Sequence, residues 1–155
     1  GGIKEFVTYL NKSKEALYED VIYCEGMVNN VQVEVAMQHN DSYNETTYGF
    51  VNNITTPEGY GGDITFSLGV KNDGTLNGIE ILSIGETAGL GMNATKDDFK
   101  NQFKDKKAEE FKVTKTGAQS EDEIDALSGA TITSRAMVGG VNAGLCAFRY
   151  VEEGE

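Results

Sequence analysis

Cysteine and histidine are scarce in this chain, which has two cysteines and one histidine among 155 residues. Cys24 and Cys146 are too few for a disulfide framework, and neither C-x-x-C nor H-E-x-x-H occurs, so no metal site is predicted. We expect Cys24 and Cys146 to be single buried thiols, while a bridge between them is not excluded by the sequence.

Tryptophan is absent, proline occurs once, and long hydrophobic runs are missing. A membrane-spanning helix needs about 18 consecutive apolar residues, so nothing in this sequence is predicted to cross a bilayer. No signal-peptide pattern is present either. Because the sequence starts at Gly1-Gly2 and continues directly into a periodic segment, we expect a natural N-terminus further upstream.

Positive charge is also low, since 13 lysines and arginines face 25 acidic residues and give a net charge of −12. Binding to nucleic acid or to an anionic membrane surface needs a basic face, and the charge therefore argues against both partners. What the chain does have is 39% apolar and 9% aromatic residues over 155 positions, which predicts one folded domain with its own core.

The hydrophobic pattern of the first half predicts a helix followed by strands. Apolar residues at helical spacing predict an amphipathic helix over residues 3–19. Clean alternation predicts a strand over residues 31–37, and residues 48–51 are its expected partner. Residues 57–62, with a proline and three glycines, predict a break.

The second half begins with the strongest local signal, a hairpin. Alternating segments 64–70 and 79–84 flank the turn Lys71-Asn72-Asp73-Gly74. A short polar helix over 94–106, a strand over 111–114 and a helix over 131–150 follow. This last helix is rich in glycine and alanine, which indicates close approach to a sheet or to a flat ligand. The predicted class is α+β: a single domain with a mainly antiparallel sheet packed by N- and C-terminal helices.

The stretch Asp125-Ala126-Leu127-Ser128-Gly129-Ala130-Thr131-Ile132-Thr133-Ser134 places hydroxyls and a glycine where the last helix begins. Free backbone N–H groups and hydroxyls at a helix N-terminus are suited to hold a phosphate. By composition alone, however, the same residues are also typical of a plain helix start with an Asp or Ser cap.

The spacing in this stretch resembles D-x-x-S-G-A-T-x-T, the signature at which a flavin transferase of the ApbE type attaches FMN to a protein. Its fixed positions are all present: Asp125, Ser128, Gly129, Ala130, Thr131 and Thr133. The resemblance implies covalent FMN, joined by a phosphodiester to the Thr133 hydroxyl. It also implies that the transferase reads Asp125, and that Gly129 and Ala130 allow the phosphate to approach the backbone. The helix dipole would stabilise the phosphodiester anion by about 0.3–1 kcal/mol.

A second resemblance lies upstream. Gly59-Tyr60-Gly61-Gly62, the hairpin and the segment 86–91 are similar to the FMN-binding domain of the RnfG and NqrC family. That family usually reads E-T-P-G-L-G where this chain has Ala88 in place of the proline. The family's other positions are kept, and the resemblance implies that they lie against the flavin: Glu86, Thr87, Gly89, Leu90 and Gly91.

The resemblance implies an electron-transfer subunit of an Rnf- or Nqr-like ion-translocating membrane complex, which catalyses nothing alone. Its implied partners are the other subunits of that complex, together with the flavin transferase needed for maturation. The domain would lie on the extracytoplasmic face of the membrane, held by an upstream anchor outside this sequence. On this interpretation residues 1–20 are a leading helix and residues 21–155 are the FMN-binding domain.

Three alternatives use the same residues differently. The chain could be a flavinylated domain of another extracytoplasmic electron-transfer system or reductase. It could also be an acidic extracellular binding module without flavin, whose S-G-A-T-I-T segment only caps a helix. Residues 89–94 fit the dinucleotide pattern G-x-G-x-x-A, but a Rossmann unit needs parallel strands and the predicted strands form hairpins.

Overall fold

Six strands form one antiparallel sheet in the computed structural model, which describes residues 3–9, 21–28, 30–38, 49–71 and 73–153. Each strand pairs with the next along the chain, so the sheet order is the sequence order. The strands are β1 Ile3–Tyr9, β2 Val21–Val28, β3 Val31–Gln38, β4 Gly49–Gly59, β5 Gly62–Val70 and β6 Leu76–Ser83.

A long C-terminal helix follows a series of short elements. After β6 come a 3₁₀ helix Gly91–Thr95, helix α1 Asp97–Lys100 and a second 3₁₀ helix Asn101–Phe103. Strand β7 Lys112–Thr114 then pairs in parallel with β8 Glu123–Asp125, and helix α2 covers Thr131–Glu153. A tight turn after Leu127 leads into α2.

The core lies between α2 and one face of the sheet. In β5, exposed or half-buried residues alternate with fully buried ones, as expected of a strand with one covered face. Helix α2 packs across β3, β4 and β5. The apolar residues fully removed from solvent on the covered face of these strands are Val33, Val35, Ile54, Ile64, Phe66 and Leu68.

The small residues of α2 allow this close packing. A β-carbon at position 140 would lie 2.9 Å from two ring atoms of Phe66. At position 144 it would lie 2.7 Å from Ile54 Cδ1 and 3.0 Å from Leu68 Cδ2. Both glycines therefore face the sheet. Of the two explanations that the sequence allowed for them, the structure supports approach to a sheet.

The α+β class, the mainly antiparallel sheet and the C-terminal helix are confirmed. The N-terminal helix is wrong where it can be compared, because residues Ile3–Tyr9 are strand β1, paired with β2. Ile3 and Val7 are four positions apart, a spacing that places both on one face of a helix and also on one face of a strand. Pairing with a neighbouring strand therefore decides which of the two forms. Residues 10–19 of that predicted helix lie outside the described residues.

Three smaller corrections concern the limits of predicted elements and strands that were not predicted. Strand β4 continues into the predicted break at residues 57–62 and ends at Gly59, with an irregular register after Thr56, and the turn before β5 lies within that break. The helix predicted over 94–106 is divided into short 3₁₀ and α segments, which bury Phe99 and Phe103. Strands β2 and β8 were not predicted.

The two cysteines are described unequally. Cys146 is half-buried on α2, and the side chain of Cys24 lies outside the described residues. In the described part of the chain, no helix combines the length and apolar character that crossing a membrane requires.

Candidate functional site

Three segments meet at the start of α2 and enclose a cavity of about 620 Å³. They are the β4–β5 turn, the segment after β6, and the first residues of the helix. Hydroxyls, glycines and apolar groups form the wall, and no described lining residue carries a carboxylate or a cation. The lining residues are Tyr60, Thr87, Leu90, Gly91, Gly129, Ala130, Thr131, Ile132 and Thr133.

Thr133 lies in the first turn of α2 and lines this cavity. Its hydroxyl donates a hydrogen bond to Glu86 Oε1 at 2.5 Å. The residue is only 2% exposed, so its side chain is held between the helix and the segment after β6. The hydroxyl that the sequence singled out is therefore in a fixed orientation, with its proton directed at a carboxylate.

Glu86 is itself held by the β4–β5 turn. The backbone N–H of Tyr60 donates to Oε1 at 2.9 Å, and that of Gly61 donates to Oε2 at 2.6 Å. Glu86 is 8% exposed, and these two bonds together with the Thr133 hydroxyl satisfy a buried carboxylate that would otherwise be costly. One side chain thus connects the turn, the segment after β6 and the helix.

The segment after Glu86 forms a tight turn. The Leu90 N–H donates to the Thr87 carbonyl at 3.1 Å, and Gly89 has a φ of +77°. This is the geometry of a type II turn with Gly89 at its third position and Ala88 at its second. Proline is common at that second position, so the alanine of this chain occupies a place where the family's proline would also fit.

Two glycines bring the backbone close to the site. A β-carbon on Gly91 would lie 2.5 Å from Thr133 Oγ and 2.6 Å from Glu86 Cβ, so any side chain there would displace both. Gly129 has a φ of +71°, which non-glycine residues rarely adopt, and it packs beside Leu90. These two positions explain why the site needs glycine on both sides of the cavity.

Ser134 fixes the turn that leads into α2. Its buried hydroxyl accepts a hydrogen bond from the Leu127 N–H at 2.8 Å and donates to the Ala130 carbonyl at 2.9 Å. The Ala130 N–H in turn donates to the Leu127 carbonyl at 3.1 Å. The loop before the helix is therefore closed by backbone and hydroxyl bonds, which place Gly129 to Thr131 at the cavity wall.

The remaining predicted site residues lie outside the cavity wall. Ser128 and Gly89 are exposed, and neither lines the cavity. Asp125 is exposed, and its carboxylate accepts a hydrogen bond from the Ala118 N–H at 2.6 Å. The Gln102 side chain accepts a hydrogen bond from the Asp125 N–H at 2.7 Å and donates one to the Asp125 carbonyl at 3.1 Å. Asp125 therefore organises the adjacent loop.

Sequence reasoning did not include Tyr60, Ile132 and Ser134 among the site residues. Tyr60 and Ile132 line the cavity and are 70% and 52% exposed. Their signal in the sequence was an aromatic between glycines and an aliphatic residue among hydroxyls. Ser134 had none, because its role depends on a bond to a residue seven positions earlier.

Two family models match this chain. The FMN-binding domain model matches residues 59–145, and the DNA gyrase B model matches residues 2–64. The matches overlap at residues 59–64, which are the β4–β5 turn and the strand residues beside it. Strands β1 to β4 thus fall in the gyrase-like part, while every residue lining the cavity falls in the FMN-binding part. The domain limits 1–20 and 21–155 stay a prediction.

Two individual relatives cover different shares of the chain. The G component of the proton-translocating ferredoxin:NAD(+) oxidoreductase complex of Clostridium ljungdahlii is 48% identical over 84 residues, covering 54% of this chain and 45% of that protein. The DNA gyrase B protein of Clostridium acetobutylicum is 37% identical over 122 residues, covering 68% of this chain and 19% of that protein. The chain thus spans less than half the length of either relative.

The fold has a solved counterpart. The crystal structure of the C component of Na(+)-translocating NADH-quinone reductase from Parabacteroides distasonis superposes with a TM-score of 0.62 at 24% identity, covering 97% of this chain and 77% of that one. This likeness supports the fold. Because the FMN-binding domain model matches more than half of the residues, this chain belongs to the FMN-binding domain family.

Proposed function

We propose that this chain carries FMN on Thr133 through a phosphodiester and transfers electrons as a subunit of an Rnf- or Nqr-type membrane complex. The observation that carries the proposal is the Thr133 hydroxyl, which lies in the wall of a cavity of about 620 Å³ at the start of α2. The family supplies the ligand, FMN, and the motif supplies the point of attachment.

The residues of the cavity fit an FMN group. Its volume lies within the roughly 300–1,000 Å³ typical of cofactor sites. Tyr60, Leu90 and Ile132 give it exposed apolar surface, which suits a flat aromatic ring system. The first N–H groups of α2, which have no partner within the helix, would face the phosphate. A polar end and an apolar end are thus present in one cavity.

The attachment must conserve atoms and charge. The donor we invoke is a flavin adenine dinucleotide bound by a flavin transferase. Thr133 Oγ forms a bond to the phosphorus on the flavin side, the pyrophosphate bond breaks, AMP leaves, and the hydroxyl proton is released. No oxidant or reductant is consumed, and the chain gains the mass of FMN less one water.

When bound, the isoalloxazine ring supplies the redox chemistry, accepting and releasing electrons. The chain's residues contribute position and surroundings. Covalent attachment would prevent loss of the cofactor in either oxidation state. Tyr60, Leu90 and Ile132 are exposed at the rim of the cavity, where a partner would approach. The net charge of −12 would favour a partner with a basic docking face.

The wider assignment follows the Clostridium ljungdahlii relative, which is named as a component of a proton-translocating ferredoxin:NAD(+) oxidoreductase complex. We infer from it that this domain works beside other subunits of such a complex. From the motif resemblance we further propose that it lies on the extracytoplasmic face of a membrane, held by an anchor outside this sequence. The gyrase-like part contributes strands that support α2, and its described residues before the β4–β5 turn add no side chain to the cavity wall.

The attachment is tested by coexpressing the full chain with a flavin transferase and measuring its intact mass. We expect a gain equal to FMN less water, mapped by peptide fragmentation to Thr133 and abolished in Thr133→Val. Thr116→Val is the matched control, because it removes an exposed threonine hydroxyl outside the motif and the cavity wall and should keep the modification. An unmodified Thr133, in cells that flavinylate another protein, would overturn the proposal.

Membership in the complex needs a separate measurement. Membranes that contain an Rnf-type complex, supplied with reduced ferredoxin, should bleach the flavin absorbance of the loaded chain faster than membranes lacking the complex. Equal bleaching by both membranes would favour a flavinylated domain of another electron-transfer system.

A further inference from the structure

The geometry around Thr133 provides more than a point of attachment. A threonine hydroxyl is a weak nucleophile unless an adjacent base takes its proton. Here the Thr133 hydroxyl already donates to Glu86 Oε1 at 2.5 Å, close enough for a general base. Both residues are more than nine-tenths buried, so the contact is part of the packed structure.

The carboxylate is oriented as a base would have to be. Tyr60 N–H and Gly61 N–H bind its two oxygens and prevent it from turning away from the hydroxyl. This arrangement of a nucleophile, a base and a third group that orients the base is the pattern found in activated hydroxyl nucleophiles. No described residue lining the cavity offers a carboxylate or an imidazole as an alternative.

We propose that Glu86 is the proton acceptor when the phosphodiester forms at Thr133, so that the base belongs to the flavin-carrying chain. This inference depends on the attachment proposed above. Thr133 Oγ bonds to the flavin-side phosphorus of the dinucleotide, the pyrophosphate bond breaks, AMP leaves, and the hydroxyl proton passes to Glu86 Oε1 and then to solvent.

The site tolerates this change of bonding. Once the ester has formed, Thr133 Oγ has no proton to donate, and Glu86 keeps the two backbone donors of the β4–β5 turn. The turn that carries Tyr60 is therefore anchored before and after the reaction.

The test measures the rate of flavin attachment on the full chain by intact mass, under excess transferase and at varied concentrations of flavin adenine dinucleotide. In Glu86→Gln we expect the maximal rate to fall by about 100-fold or more, the usual range for loss of a general base. The half-saturating concentration of the dinucleotide should not change. Glu110→Gln, at an exposed carboxylate, should keep the wild-type rate.

A structural effect of the substitution is separated by thermal unfolding and by a conservative variant. Glu86→Asp keeps a carboxylate but withdraws it from Thr133, so its rate should fall between those of wild type and Glu86→Gln. If Glu86→Gln does not unfold cooperatively, Glu86→Asp carries the test, with a fall of about tenfold expected.

The outcomes distinguish the two proposals. A wild-type chain modified at Thr133 together with an unimpaired Glu86→Gln would refute the role of Glu86 and leave the attachment intact. An unimpaired Glu86→Asp would do the same if the glutamine variant is unfolded. A wild-type chain that stays unmodified would overturn both proposals.

Discussion

Gly139 and Gly140 are neighbours on α2, yet replacing each with alanine should affect stability differently. Gly139 is exposed, and a β-carbon there would have no atom within 4 Å outside its own helix. Gly140 is buried, and a β-carbon there would lie 2.9 Å from Phe66 Cε1 and Cζ and 3.3 Å from Ile54 Cγ2.

The magnitude follows from two terms. Alanine is favoured over glycine in a helix interior by about 1 kcal/mol, and this gain applies to both positions. At position 140 the new methyl must displace the ring of Phe66, which is fully buried, and such overpacking costs about 1–3 kcal/mol. We therefore expect Gly139→Ala to be more stable than wild type and Gly140→Ala to be less stable than Gly139→Ala by about 1–3 kcal/mol.

The measurement is urea denaturation of the two variants and the wild type, supported by calorimetry. For a chain of this size, 1 kcal/mol corresponds to about 2–4 °C in Tm. Comparing neighbours on one helix cancels effects of helix length and of the unfolded chain. A Gly140→Ala variant that equals or exceeds the stability of Gly139→Ala would refute the packing of α2 on the sheet.

Three further substitutions follow from the site and its supports. Ala88→Pro should raise the free energy of unfolding by about 0.4–1 kcal/mol, because proline suits the second position of a type II turn; an unchanged or lower Tm would contradict that turn. Ser134→Ala should cost about 1–3 kcal/mol in urea denaturation by leaving the Leu127 N–H without its partner, whereas the exposed Ser128→Ala should stay within about 0.5 kcal/mol. Asn52→Asp should cost about 3–5 kcal/mol at neutral pH, since it buries a charge where an amide now donates to a carbonyl of α2 at 2.8 Å; a smaller loss would mean that this position is hydrated.

The local sequence pattern was sufficient to predict an element where that pattern is compatible with only one conformation. The hairpin of β5 and β6 was predicted because alternating residues flank a turn with Gly74, which has a φ of +93°. The alternation of residues 31–37 gave β3 for the same reason. The helix predicted for segment 3–9 was wrong because the few apolar residues of this segment are compatible with both a helix and a strand. Only pairing with β2, the next strand along the chain, decides between them.

The site shows the same division between local and distant information. The motif at 125–134 was recognised from spacing, and the cavity wall includes Gly129, Ala130, Thr131 and Thr133. Spacing could not reveal that Ser128 and Asp125 lie outside that wall. Nor could it show that Glu86 contacts Thr133, because 47 positions separate them and their contact depends on how β6 and α2 are placed by the sheet.

Because two family models match different parts of the chain, strands of one part must pack against the helix of the other. Of the two family models, only that of DNA gyrase B matches strand β4 up to residue 58. Asn52 and Ile54 of this strand nevertheless contact Gly144 of α2, which lies in the FMN-binding part. A strand at the position of β4 must place its buried side chains against Gly140 and Gly144 of α2. The site itself depends on the β4–β5 turn, because the N–H groups that hold Glu86 belong to Tyr60 and Gly61. The support of the site therefore extends into β4, whereas every residue that lines the cavity lies within residues 59–145.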